Sequence, residues 1–309
     1  MDNLCHTLVG AAIAEAGLKH RSRFATPALL IAANLPDIDV LIFLTDVSPI
    51  TFRRGWTHGL VAQLLLPLAL TATFWVAGRV RRARDGGPPL RLGALLWLSY
   101  VGLYSHLLLD WLNTYGVRLL APFRWQWFYG DAVYIVDPWL WLVFGAGVWL
   151  SRRAGRPAPA RAALAVSACY ILAMVLSARA ARGLVLEAYR QAHRVEPRAV
   201  MVGPWPANPF AREVIVDAGD HYVTGRFTWL PTGVTFEREP VAKNERRPEV
   251  AIARARPGEI QDFLVWSRFP YWTLESTAAG TRVAVADMRI PATASVPGAR
   301  FVGRTIVQP

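Results

Sequence analysis

Four stretches of this chain are too long and too apolar to suit an ordinary soluble core. Residues 60–78 hold 19 residues without a charge, and 92–109 hold 18 in which only His106 can ionise. Residues 132–150 hold 19 with one acid, Asp137, and 162–178 hold 17 with none. A helix needs about 20 mostly apolar residues to cross the hydrocarbon core of a bilayer. Two further stretches fit less well: 25–44 carries Asp37 and Asp39, and the shorter 4–18 carries His6 and Glu15. The reading is a mainly α-helical integral membrane domain of about six spans, some short or broken. Charged residues are only 18% of the chain against 53% hydrophobic, which excludes a disordered chain or a coiled coil.

The apolar runs stop near residue 178. Residues 1–178 therefore read as a membrane-embedded domain and 179–309 as an extramembrane, β-rich one, with a helical connector over 179–200. Beyond it, alternating segments separated by Pro and Gly predict a small, mainly antiparallel β domain. Strands are expected at 213–216, 222–229, 249–253, 263–268 and 282–289. Gly86, Gly87, Pro88 and Pro89 read as an ordinary loop.

The net charge is +12. No basic helix with base-reading residues accompanies it, so no nucleic-acid partner is expected. The cations instead mark the loops. Residues 19–23, 79–91 and 151–161 hold twelve Lys and Arg, whereas the alternate loops 45–59 and 113–131 hold four: Arg53, Arg54, Arg118 and Arg124. Cationic loops stay in the cytoplasm. Six spans would then leave both termini, and the β domain, outside. Met1 to His6 lacks the positive start of a cleaved signal peptide. Cys5 and Cys169 suggest neither a disulfide framework nor a thiolate zinc site.

The acids and histidines of the membrane part are informative because a charge at membrane depth is expensive unless paired, solvated or metal-bound. The loop charges are independent of these residues, yet the topology they imply sets His6, Asp37, Asp39, His58, His106, Asp110 and Asp137 at one membrane face. His106 and Asp110 are spaced i, i+4 and share one side of a helix; they fit one ion or a packed His–Asp pair. Pro36 breaks its helix, and in an extended stretch Asp37 and Asp39 would face one way and could bridge two metals, or lie in a polar surface loop. His58 starts an apolar helix as a candidate ligand. Arg53 and Arg54 are candidate phosphate-binding residues or solvated loop cations. Asp137, before Pro138, is a candidate ligand, catalytic group or helix N-cap. Imidazole and carboxylate without thiolate suit zinc, with manganese as the alternative, and the surplus of candidates suggests two or more ions.

At these residues the chain resembles the YdjM-like family of membrane-bound metal-dependent hydrolases. The matching pieces are residues 1–10, 35–39 (Leu-Pro-Asp-Ile-Asp), 54–59 (Arg-Gly-Trp-Thr-His-Gly) and 106–116, within roughly 1–150. That resemblance implies hydrolase activity at the inner membrane of a bacterium. The order of residues is also similar to zinc-dependent phospholipase C, which implies ligand roles for His6, Asp37 or Asp39, His58, His106 and Asp110.

The expected function is hydrolysis by metal-activated water, with a phosphoester on a membrane lipid or lipid-linked substrate as the bond and Asp37, Asp39 and Asp137 as catalytic candidates. The rival is an ion- or proton-coupled transporter, or a non-catalytic structural membrane protein. Transport predicts charges spread through the membrane depth; hydrolysis predicts one compact site.

Overall fold

The computed structural model describes residues 1–45, 47–80, 89–290 and 303–307. The loop at 86–88 and the cations Arg81, Arg82 and Arg84 lie outside the described residues. The chain forms two compact units: Met1–Asp39 with Arg54–Ser177, and Val40–Arg53 with Ala178–Pro309.

The first unit is helical. Its helices include α1 (Asn3–Glu15), α2 (Ala25–Ala32), α4 (Leu60–Val80), α5 (Leu92–Trp111) and α6 (Pro138–Ala154), and it takes the first part of α7 (Ala158–His193). Three of these, α4, α5 and α7, are long and apolar enough to cross a membrane. Four spans result if α2 and the following 3-10 segment Leu35–Leu44, bent by 51° where Pro36 interrupts the helix, are taken as one. The two remaining expected spans are α1, with 13 residues, short for a bilayer crossing, and α6, with 17, at the lower end of the spanning range. Residues 132–137, expected to begin a span, precede α6, which starts only at Pro138.

Caps and glycines assemble this unit. Asp2 caps α1, its Oδ1 accepting from the Leu4 and Cys5 amides, while its Oδ2 accepts from Trp141 Nε1 of α6. Two glycines then close α1 and α5 onto α2. A Cβ on Gly10 would sit 3.0 Å from the Leu29 carbonyl oxygen. One on Gly102 would sit 2.9 Å from the same oxygen and 2.7 Å from Ala32 Cβ. Gly10 follows His6 by one turn and Gly102 precedes His106 by one turn, so each close approach carries a histidine inward.

The second unit is α/β. The amphipathic end of α7 buries Ala181, Val185 and Tyr189 against Val200, Val202, Val214, Val216, Val223 and Phe227. Those residues lie on one face of an antiparallel sheet ordered β1 (Ala199–Trp205), β2 (Asn208–Asp217), β3 (His221–Trp229) and β4 (Thr232–Phe236), with β5 (Val241–Ala242) pairing β3. A second antiparallel sheet is ordered β6 (Pro270–Thr277), β7 (Gly280–Asp287) and β8 (Gly303–Val307). Antiparallel pairing agrees with the sequence reading, but two expected strands do not form. Residues 249–253 lie in helix α8 (Pro248–Ala255) and 263–266 end helix α9 (Glu259–Trp266). Pro248 at the first helical position and an Ala-rich run favour α8. In α9, Ile260, Phe263 and Trp266 are buried at a spacing of three, a helical stripe. The short helix α3 (Pro49–Phe52) packs against α9. The connector helix ends at His193, and β1 begins six residues later.

Candidate metal centre

Asp37, His58, His106 and Asp110 are buried, and one ligand atom of each lies within 4.8 Å of every other. His58 Nε2 is 3.2 Å from His106 Nε2 and 3.3 Å from Asp110 Oδ2. His106 Nε2 is 3.4 Å from Asp110 Oδ2 and 3.9 Å from Asp37 Oδ1. A tetrahedron of bonds near 2.1 Å has edges of about 3.4 Å, so the shortest separations are those of ligands around one small cation.

The outer contacts decide which way the imidazoles point. His106 Nδ1 lies 2.8 Å from the Ala33 carbonyl oxygen, which can only accept, so Nδ1 holds the proton and Nε2 offers its lone pair. Thr57 Oγ1 donates to Asp39 Oδ2 at 3.2 Å and lies 2.9 Å from His58 Nδ1. With its own proton committed, the hydroxyl accepts from Nδ1, and His58 Nε2 is left as a second lone pair. Two imidazole lone pairs and a carboxylate oxygen thus converge. Such a group repels itself unless a cation lies among it.

His6 joins from α1. Its ring stacks on His106 with centroids 3.8 Å apart, and its Nε2 lies 3.3 Å from Asp110 Oδ1. Neither ring nitrogen has a hydrogen-bond partner among the described residues. Arg54, buried and at φ 54°, donates from Nη2 to Asp110 Oδ1 at 3.2 Å, and its backbone N–H donates to Asp39 Oδ2 at 2.8 Å. The Met1 amino nitrogen also bonds Asp110 Oδ1.

Asp39, Asp137 and Arg53 make other contacts. The stretch around Asp37 and Asp39 is a 3-10 turn rather than extended. With three residues per turn, residues two apart diverge; Asp37 reaches His106, while Asp39 holds Thr57 and the Arg54 amide. Asp137 caps α6, accepting from the Trp139 and Leu140 amides, and its other oxygen accepts from Tyr170. Arg53 belongs to the second unit, with its guanidinium over Phe43. Thr57 was not among the sequence candidates, although a hydroxyl beside a candidate ligand is a readable signal. Gly59 was also passed over: a Cβ there would meet the Ala121 oxygen at 2.3 Å, and that oxygen accepts from Leu60 N at 2.8 Å, which fixes the start of α4 beside His58.

Residues 1–181 match the family described as YdjM inner membrane protein. The chain belongs to the YdjM family. The matched region contains the whole cluster from His6 to Asp110 and ends within α7. A relative reaches further: over 308 residues, 94% of this chain and 86% of the other, this YdjM-family chain is 22% identical to "Uncharacterized protein YfhP" of Bacillus subtilis (strain 168). No solved structure matches it. The family is described as an inner membrane protein, the chain carries apolar helices long enough to span, and Asp37, His58, His106 and Asp110 are grouped so that they could hold a metal ion.

Proposed function

We propose that this protein is an integral membrane metal-dependent hydrolase that cleaves a phosphoester of a lipid or lipid-linked substrate. The observation that supports it best is the convergence of two oriented imidazole lone pairs with Asp37 and Asp110 in a buried place. Asp37, His58, His106 and Asp110 would hold a divalent ion, with His6 adjoining. Nitrogen and oxygen donors without thiolate fit zinc first and manganese second. When bound, such an ion supplies a water ionised near neutral pH and a Lewis acid for the phosphoryl oxygen.

The chain's own residues do the positioning. Asp39, through Thr57, and the Ala33 carbonyl fix the rings of His58 and His106; outer partners of this kind set ligand basicity and orientation. Arg54 balances the Asp110 charge and presents a guanidinium suited to a phosphoryl group. The compact cluster favours hydrolysis over transport. The twelve-to-four bias of loop cations supports a multi-pass topology with the site and the β domain outside the cytoplasm, and a reporter fused to the C-terminus and active only in the cytoplasm would refute that orientation.

The test of activity uses purified protein in detergent with a generic phosphoester. Wild type should turn it over, and His106→Ala and Asp110→Ala should lose turnover while remaining folded. Variants that lose only stability would identify a packed His–Asp pair instead.

A further inference from the structure

Asn113 lies just past the end of α5 and is fully buried. Its carboxamide oxygen accepts from Arg54 Nη1 at 3.2 Å and from the Tyr115 backbone N–H at 2.8 Å. Neither donor has a lone pair to offer in return. Turning the amide over would set its NH2 against two donors, so its orientation is fixed. Nδ2, with two hydrogens, therefore points away from both, buried and without an acceptor among the described residues. A buried donor left unmade carries its full desolvation cost.

The place of that donor is informative. Asn113 lies three residues beyond Asp110, just past the C-cap of α5. Arg54 grips both, with Nη1 on Asn113 and Nη2 on Asp110. Asp110 Oδ2 and the two ring nitrogens of His6 are also buried without hydrogen bonds among the described residues. The needs differ in sign. Asp110 Oδ2 calls for a cation, which Nδ2 cannot use; Nδ2 calls for an oxygen with a lone pair. A ligand that presents oxygens to a cation and to a neutral donor at once meets both.

We infer that Asn113 Nδ2, beside the Arg54 guanidinium, receives an oxygen of an anionic phosphoryl group at the edge of the metal-ligand cluster. This rests on the proposed hydrolase reading and names the substrate contact within it. Asn113 is then a substrate-binding residue: its hydrogen bond joins the Arg54 cation in holding a phosphoryl oxygen.

Asn113→Asp isolates the donor, because it keeps an oxygen for Arg54 and Tyr115 and replaces only the NH2. Asn113→Ala serves as the variant without added charge. Purified full-length protein is titrated with inorganic phosphate and, in parallel, with a short-chain phosphatidate, binding being read from the rise in melting temperature; metal content is measured on the same samples. Both variants should keep wild-type metal content and bind phosphate at least about 10-fold more weakly, the scale of a hydrogen bond to a charged group. A loss confined to phosphatidate supports the inference with a lipid headgroup as the source; a loss on both supports it for the phosphoryl group in general. Variants that bind as wild type does overturn it. So does a wild type that retains metal but binds neither probe, an outcome that leaves the metal centre standing. A wild type without metal that still binds phosphate through Asn113 would remove the metal centre and keep the inference.

Discussion

Asp110 and Asp287 are both fully buried carboxylates, one in each unit, and their surroundings are built for different ends. Asp287 is saturated. Its Oδ1 accepts from the Arg289 backbone N–H at 3.0 Å and Arg289 Nε at 2.7 Å. Its Oδ2 accepts from Ser267 Oγ and the Arg268 amide at 2.7 Å, and from the Phe269 amide and Arg289 Nη2 at 3.0 Å. Burial alone would raise its pKa, but Arg289 and these donors hold it below the usual carboxylate range. Asp110 has Arg54 and the Met1 amino nitrogen on one oxygen, while its other oxygen faces two imidazole lone pairs with no hydrogen bond among the described residues. Six donors tie a loop and a strand end together at Asp287; around Asp110, buried polar atoms stay without a hydrogen bond among the described residues. A buried polar network that is fully satisfied rigidifies a fold, and one left partly unsatisfied needs another explanation.

The contrast predicts opposite consequences for matched substitutions. The largest effect belongs to the first unit. His58→Ala should reduce hydrolysis by more than about 100-fold, since even outer partners of a metal site typically contribute 10–100-fold; activity near wild type would break the distinction. Asp287→Ala should act on stability instead. It takes from the buried Arg289 guanidinium the carboxylate that holds Nε and Nη2, which costs about 3–5 kcal/mol, read as a lower denaturation midpoint of the second unit with hydrolysis per folded molecule unchanged.

Glu213, on β2, sharpens the comparison through pH. Burial, reinforced by Asp287, pushes its carboxyl up to about 7. The folded form therefore keeps its proton longer than the unfolded chain does. Below pH 4 both forms are protonated and the group contributes nothing. As pH rises from about 4.5 to 7 the unfolded chain ionises first, so stability falls, and the loss is complete above pH 7. Glu213→Gln should raise stability by about 3 kcal/mol above pH 7 and leave it unchanged at pH 4. A pH-independent change would contradict the assignment. The smallest effect is expected of Gly102→Ala. Its methyl would press on the Leu29 carbonyl and Ala32, with an overpacking cost of about 1–3 kcal/mol, and metal affinity should fall as His106 is displaced from His58.

What the sequence revealed and concealed follows the range of each interaction. The long apolar helices α4, α5 and α7 are local properties of composition, as is the i, i+4 pairing of His106 with Asp110. That His6, His58 and His106 share one membrane face was an expectation drawn indirectly, from the cations of the loops, and no local pattern encodes it. The α8 and α9 segments were not, because five or six apolar and polar residues fit a strand and a short amphipathic helix equally well. Around Pro36, a helix break was readable but its tight 3-10 continuation was not, so Asp37 and Asp39 looked like one face. Gly10 and Gly102 matter only because α2 lies against both. Asn113 matters only because Arg54, 59 residues away, takes its oxygen; no local pattern encodes that.

The central claim is that the cluster around Asp110 holds a metal and the network around Asp287 does not. Elemental analysis of the full-length protein, purified without chelator, tests it most directly when run on wild type, Asp110→Asn and Asp287→Asn together. The account predicts at least one divalent ion per chain in wild type and in Asp287→Asn, and its loss in Asp110→Asn. A wild type that carries no metal, or an Asp110→Asn variant that carries as much as wild type, would contradict it.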